Sequence, residues 1–319
     1  MSKSITETAG IDVSKRKLDV ALAAGPDRLQ ASNDPAGYQQ IESWLREHGV
    51  ERVGLEASGH YEAAVAAHLR RVGFCVVLLD PAQVKGFRRF KKKRAKNDKI
   101  DARLIAVATA DMEPDSIRPA PDERLAPWAE HLTLIEQIGE DISRLKTRRD
   151  RYSLPAHKRY LETEITRLSR RRDREIVRLL AKLRRHPDLA LKLDLLESIP
   201  GLGPLTALSF VLRMPELGRM TRAEAAALVG VAPFDDESGE HTGERHIAGG
   251  RKRLRRSIYQ AAFSASQRWN PILLALYKRL IAKGKHHKVA TVACARKLVE
   301  IANAILARAT PWQDKAVTP

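Results

Sequence analysis

Gly10-Ile-Asp-Val-Ser-Lys-Arg-Lys-Leu-Asp-Val-Ala-Leu-Ala23 decides the fold of the first third of the chain. Ile11 onward reads as a strand, a turn near Ser14–Lys17, and a second strand over Leu18–Leu22, that is, a hairpin. Outward from it, Asp34 is expected to cap a helix that runs to Glu47 and closes at His48–Gly49. Arg52–Glu56 predicts a short apolar strand, Tyr61–Val72 an amphipathic helix and Phe74–Leu79 another strand. Strands alternating with helices, after an opening hairpin, predict an α/β sheet over residues 1–120.

Four carboxylates sit where a carboxylate is costly unless it is used. Asp12 lies in the first strand, Glu56 ends the strand Val53-Gly-Leu-Glu, and Asp98 and Asp101 are three residues apart on one face of a helix's first turn. Carboxylates this close to a sheet core are penalised by desolvation, and divalent cations remove the penalty by supplying counter-charge. Phosphoryl transfer uses two such ions roughly 3.5–4 Å apart. The bland alternatives are that Asp98 only caps a helix and that Asp12 pairs with a lysine. One acid in the first strand, one at a later strand end and two on a helix favour a metal site.

A basic run with interleaved Phe87 and Phe90 precedes the last two acids: Lys85, Arg88, Arg89, Lys91, Lys92, Lys93, Arg94 and Lys96. Beside a metal site it suits a phosphate backbone; otherwise it is a solvated face. The whole chain leans the same way, with 57 Lys and Arg against 39 Asp and Glu in 319 residues, a formal charge of +18. A polyanion is the natural partner for such a charge. Cys75 and Cys294 both fall in apolar segments and read as core residues of a reducing compartment. No apolar run of about 18 residues and no signal-peptide pattern is present, so the expectation is a cytoplasmic protein with no membrane partner.

Residues 121–188 change character. Leu134, Ile138, Ile142 and Leu145, then Leu161, Ile165, Leu168, Ile176, Leu179 and Leu183, recur at spacings of three and four between Arg, Lys and Glu. The pattern predicts long amphipathic helices paired as an antiparallel or intermolecular coiled coil, with the turn at Pro155 and an interruption at Arg172. Residues 189–319 read as a mainly helical domain. Its turn Ile199-Pro-Gly-Leu-Gly-Pro resembles a helix-hairpin-helix, in which the backbone at Gly201 and Gly203 holds a phosphate; a plain helix–helix turn is the alternative. The stretch Gly230–Arg256 is glycine-rich, polar and basic. Ser238 precedes Gly239 in it, and Arg245, Arg251, Lys252 and Arg255 are placed to neutralise phosphates.

With those residues in hand, the chain resembles the DEDD transposases of bacterial insertion sequences, the family that includes the Piv-type DNA invertases. The carriers are Gly10-Ile-Asp-Val-Ser-Lys with Leu18-Asp-Val, Leu55-Glu-Ala-Ser-Gly, Lys96-Asn-Asp-Lys-Ile-Asp-Ala-Arg, Ser198-Ile-Pro-Gly-Leu-Gly and Glu237-Ser-Gly. The resemblance implies an RNase H-like (RuvC-like) first domain in which Asp12, Glu56, Asp98 and Asp101 bind Mg²⁺. It also implies that Ser238 attacks the scissile phosphate of donor and target DNA and forms a phosphoserine link. Guidance by a structured non-coding bridge RNA, and a coiled-coil-mediated dimer and working tetramer in the nucleoid, are implied in the same way. Two readings compete with it: a RuvC-like nuclease using metal-activated water, and a non-catalytic nucleic-acid-binding protein. A tyrosine recombinase using Tyr259 would leave the acids without a role.

Overall fold

The computed structural model describes residues 7–57, 59, 61–91, 98–112, 122, 124–234, 237–238, 241–242 and 246–313. Of these, 98–100, 234, 237–238 and 241–242 are described by backbone alone. The chain divides into two units, Met1–Glu123 and Arg124–Pro319.

Unit 1 is a mixed sheet of β1 (Glu7–Val13), β2 (Lys17–Leu22), β3 (Arg28–Ser32), β4 (Val50–Glu56) and β5 (Cys75–Leu79), in the order β3-β2-β1-β4-β5. The hairpin β1–β2 is antiparallel and β4 then joins β1 in parallel, which agrees with the α/β expectation. Its turn is fastened by Ser14, whose Oγ donates to Lys17 O at 2.8 Å. On one face Ile11, Leu18, Val20 and Leu55 pack under α1 (Pro35–Glu47) and α2 (Ala63–Arg71) through Ile41, Leu45, Val65 and Leu69. α1 starts as anticipated: Asp34 Oδ1 accepts from Gly37 N at 2.9 Å, and Pro35 follows it. The other face is covered by α4 (Asp98–Ala110), with α3 (Pro81–Phe90) beside it.

Two details of unit 1 differ from expectation. β3 was not foreseen, because Arg28-Leu-Gln-Ala-Ser is an edge strand with only Ala31 fully buried and so lacks an apolar run. Cys75 is exposed rather than in the core, since it starts β5, the edge strand at the other end of the sheet, and points outward. Cys294 is buried as expected.

In unit 2, α5 (Leu125–Arg151) and α6 (Pro155–Leu183) form an antiparallel hairpin that turns at Tyr152–Leu154, with Pro155 opening α6. The seam closes within the chain: Ile138, Ile142 and Ile165 bury one another, flanked by Leu145 and Leu168. Leu134, expected in the seam, is 44% exposed. The base of the hairpin is not separate from residues 189–319. Leu125, Leu132, Ile135, Leu179 and Leu183 belong to the same core as Leu193, Leu208, Phe210, Ile258 and Leu298. That core is built by α7 (Pro187–Glu197), α8 (Pro204–Arg213), α9 (Arg222–Val229), α10 (Lys252–Ser264), α11 (Pro271–Ala282) and α12 (His287–Arg308). No helix among the described residues is long and apolar enough to cross a membrane.

Candidate active site

Two glycines set α4 directly against the strands that carry Asp12 and Glu56. A side chain at Gly10 would run into the backbone of Ala102 and Ala106, and one at Gly54 into Thr109 and Ile105, so α4 lies directly on β1 and β4 at these positions. Alternation puts Asp12 on the face of Gly10, and Glu56 on the face of Gly54. The parallel register pairs Gly10 with Gly54 and Ile11 with Leu55, so Asp12 and Glu56 follow side by side on strands about 4.8 Å apart. The direction of α4 comes from Arg52, two residues before Gly54, whose Nη1 donates to Met112 O at 3.2 Å and to Thr109 O at 3.4 Å. The C-terminal end of α4 therefore lies over the start of β4. Its N-terminal turn, with Asp98 and Asp101, points to the strand ends that carry Asp12 and Glu56.

A further acid, which sequence reasoning did not single out, shares this face. Asp19 is directly opposite Asp12 in the β1–β2 ladder and is only 8% exposed. It accepts from Gln30 Nε2 at 2.7 Å and pairs with Lys17 Nζ at 3.5 Å. Its signal was available: Leu18, Val20 and Leu22 alternate onto the α1–α2 face, which leaves Asp19 on the other. Among the described residues no three His, Cys, Asp or Glu side chains approach closely enough to cage an ion, and the side chain of Asp98 lies outside them. The donor chemistry is all carboxylate, which suits a hard divalent cation.

The first part of the basic run, Lys85, Arg88 and Arg89, lies on the helix α3. Its start is a capping box: Asp80 Oδ1 accepts from Ala82 N at 2.7 Å, and Gln83 Oε1 accepts from Asp80 N at 3.0 Å. Lys85 is exposed, and Lys91 Nζ sits 5.1 Å from the Phe87 ring centroid and 5.8 Å from that of Phe90. Arg88 points inward rather than to solvent. Its Nη2 donates to Asp101 Oδ1 at 2.5 Å, with the side chains 22% and 12% exposed, so it serves an acid instead of standing free for a phosphate. Arg89 is exposed and remains available to a phosphate, and Lys92 and Lys93 lie outside the described residues.

In unit 2, Ser238 lies on a small hairpin. β6 (Pro233–Phe234) pairs with β9 (His246–Ile247), and inside that rung β7 (Glu237–Ser238) pairs with β8 (His241–Thr242). Ser238 is in register with His241. The excursion is closed at its neck by two glycines with positive φ, Gly230 (83°) and Gly250 (70°), packed so tightly that a side chain on Gly250 would enter the backbone of Gly230. Arg255 staples the neck, its Nη1 donating to Gly249 O at 3.0 Å and to Gly230 O at 3.2 Å. Arg251 pairs with Glu216 Oε1 at 2.5 Å and also donates to the Arg213 carbonyl. Arg251 and Arg255, expected to meet phosphates, are thus held by the protein itself, because the neck carbonyls and Glu216 need donors. Lys252 is exposed, and Arg245 lies outside the described residues.

The turn Ser198–Gly203 joins α7 to α8. Gly201 has φ 87°, and a side chain on it would meet Ala265 Cβ at 2.5 Å, so this glycine serves close packing. Gly203 is the exposed N-cap residue of α8, with Pro204 after it and open space around it. Ser198 Oγ accepts from Trp312 N at 2.8 Å and donates to Leu195 O at 2.7 Å, which fastens the tail over the turn.

Residues 9–151 match the family model for the DEDD transposase domain of IS110 type, and residues 193–278 match the model described as transposase, IS116/IS110/IS902 family. The chain belongs to this transposase family. It is 25% identical over 321 residues to the pilin gene-inverting proteins of Moraxella bovis and of Moraxella lacunata, covering 96% of this chain and 97% of each of those proteins. The transposase is accordingly an enzyme that recombines DNA. The first matched region holds the hairpin, Asp12, Glu56, Asp98 and Asp101; the second holds Ser198–Gly203 and Ser238. Membership in a DEDD family implies a RuvC-like first unit, and transposases of this type typically use a divalent metal.

Proposed function

We infer that this transposase cuts and rejoins DNA of an insertion sequence through a covalent phosphoserine at Ser238, assisted by Mg²⁺ held by Asp12, Glu56, Asp98 and Asp101. The observation that carries this reading is the convergence of α4's N-terminal turn on the strand ends of Asp12 and Glu56, fixed by Gly10 and Gly54. A cation bound there would supply positive charge to the phosphorane and make the attacking hydroxyl a better nucleophile. Ser238 contributes the oxygen: its Oγ–P bond forms while the P–O bond to the leaving nucleotide breaks, and the departing oxygen takes a proton. The phosphodiester energy stays in the serine ester, so reversal onto another strand end needs no ATP. The exposed Lys85 and Arg89 of α3 and the exposed N-terminus of α8 at Gly203 support backbone contact with donor and target strands. Guidance by a structured non-coding RNA, and action as a dimer or tetramer, complete the reading.

The test is denaturing electrophoresis of the full chain with labelled element-end DNA, Mg²⁺ and transcript from the element's flank, with peptide mapping of any shifted band. The expected result is an adduct at Ser238 that Ser238→Ala lacks, and that Asp12→Asn and Asp101→Asn also lack although they still bind DNA. Cleavage by Ser238→Ala without adduct would replace this reading with a nuclease that uses water. An adduct at Tyr259 would overturn the serine assignment.

A further inference from the structure

Between Glu244 and Glu300 the sequence holds fourteen Lys and Arg and no Asp or Glu. Part of this charge is spoken for inside the protein. Arg251 pairs with Glu216, Arg253 with Glu136, Arg256 with Glu140, and Arg296 and Lys297 with Glu300. Arg268 is different. It is exposed, and its guanidinium lies 5.2 Å from the ring centroid of Trp269. Trp269 is 58% exposed, whereas Trp44, Trp128 and Trp312 are half-buried.

The backbone beneath this pair is unusual. Ala265–Trp269 is a π-turn inserted after α10, closed by Asn270 N donating to Ala265 O at 2.9 Å. Such turns are rare and are frequently found at functional sites. Asn270 locks it in position. It is fully buried, its Oδ1 accepts from Leu273 N at 3.1 Å to start α11, and its Nδ2 donates to Pro200 O at 3.3 Å. The link to Pro200 ties the π-turn to the loop Ser198–Gly203. Gly201 makes the approach possible, since a side chain there would meet Ala265 Cα at 2.8 Å and Trp269 Cβ at 3.3 Å. Burying an amide and adding a residue to a helical turn both cost stability. The result is a large apolar ring and a guanidinium exposed to solvent, with the π-turn that carries them set against Pro200 and Gly201 of the loop that leads into α8.

We propose that Trp269 and Arg268, presented beside the Ser198–Gly203 turn, form a binding site for an unpaired nucleotide, with the base stacked on the indole and its phosphate on Arg268 and the α8 N-terminus. A flat aromatic face accepts any nucleobase, and in paired duplex that face is already covered by its neighbours. The acid-free sequence from Arg245 to Val299 favours a polyanion over a basic partner. Recombination requires strands that are open at the exchange point, so a site for single-stranded nucleic acid fits the family's activity. The proposal rests on that activity and is independent of the roles given to Ser238 and the acids.

The experiment titrates the full-length protein, metal-free, with a short oligothymidylate, the matching oligouridylate and a mixed-sequence duplex, following tryptophan emission and fluorescence anisotropy. The oligothymidylate is expected to quench part of the emission of the parent protein, and Trp269→Phe to lose that quenching. Trp269→Ala is expected to bind the single strand roughly tenfold more weakly, with duplex affinity changed less than about twofold. Arg268→Gln should weaken the same probe and flatten its salt dependence by about one unit of log–log slope. Equal quenching by both single strands assigns the site to the base and phosphate; quenching by one alone assigns it to DNA or RNA, and either supports the site. Circular dichroism and thermal melting check that the variants fold, and Trp269→Phe keeps an aromatic ring should the alanine variant fail. Undiminished quenching in Trp269→Phe, or equal losses for single strand and duplex in Trp269→Ala, would overturn the proposal. So would a fall in mass by light scattering with unaltered oligothymidylate binding, which would mark Trp269 as a protein contact.

Discussion

Arg88 Nη2 lies 2.5 Å from Asp101 Oδ1, and this ion pair joins the basic helix α3 to the acidic helix α4. With side chains only 22% and 12% exposed, neither charge is well hydrated, and each depends on the other. Arg88 Nε is buried with no hydrogen-bond partner, so the guanidinium is only partly satisfied where it stands. A divalent cation on Asp101 would carry the same sign as Arg88 and replace its counter-charge.

Arg88→Gln is therefore expected to destabilise unit 1 in metal-free buffer by about 1–2 kcal/mol, since it strands a nearly buried carboxylate. Asp101→Asn added to it should recover most of the loss. Millimolar Mg²⁺ should raise the melting temperature of Arg88→Gln more than that of the parent. The measurement is thermal melting of the four proteins of the cycle with and without Mg²⁺. Equal Mg²⁺ responses would show that Arg88 and the cation do not share Asp101.

The α5–α6 hairpin separates two residues that look alike in the heptad pattern. Ile138 is 7% exposed and packs on Ile165, while Leu134 is 44% exposed. Ile138→Ala is expected to cost roughly 2–4 kcal/mol of unit 2 stability in urea melts. Leu134→Ala should stay within about 0.5 kcal/mol. If the reverse order were measured, the hairpin would pair through a different seam. Leu134→Asp with undiminished stability and a lower mass by light scattering would place Leu134 between protomers.

The two thiols should differ sharply in reactivity. Burial pushes the Cys294 thiol up to about 11, and its Sγ faces Leu273 O at 3.5 Å, whereas Cys75 is exposed on the edge strand β5. Near pH 8 the native protein is expected to give one rapid equivalent with a thiol reagent, from Cys75, and the second only on unfolding. Cys75→Ser should remove the rapid phase. Its persistence would mean that Cys294 is reached in the native fold.

Much of this architecture is legible in the sequence, for identifiable reasons. Asp34 and Pro35 announce α1, and the apolar strands β1, β4 and β5 are continuous enough to be seen alone. α3 was hidden because its charges read as a nucleic-acid run, although Asp80, Pro81 and Gln83 spell its capping box. The four acids could be chosen from their positions at strand and helix ends. What could not be read is which cations serve the fold: Arg88, Arg251 and Arg255 look identical in sequence to the exposed Lys85 and Lys252. That distinction depends on Asp101, Glu216 and the carbonyls of Gly230 and Gly249, which only the tertiary fold brings near. The seam of α5 and α6 is a similar case, since a heptad pattern does not say whether the partner helix belongs to the same chain.

Gly10 offers the most direct test of how the acidic face is assembled, because it holds no charge and lies two residues from Asp12. Its missing side chain is the space that the backbone of Ala102 and Ala106 occupies. In Gly10→Ala the methyl group must push α4 off β1, and Asp98 and Asp101 move with that helix while Asp12 and Glu56 stay in the sheet. Gly54→Ala meets the buried side chain of Thr109 instead, whose Oγ1 would be 1.9 Å away, but a side chain yields more readily than backbone. The expected result is loss of DNA cleavage in both variants, with the deeper loss and the larger fall in stability, about 2 kcal/mol or more, in Gly10→Ala. A double change of Gly54→Ala with Thr109→Ala removes the Oγ1 that the new methyl group would meet and should restore part of the activity. Cleavage assays paired with urea melts read both effects. Full activity in Gly10→Ala at parental stability would show that α4 need not rest on β1 for the acids to work, and would separate Asp98 and Asp101 from Asp12 and Glu56.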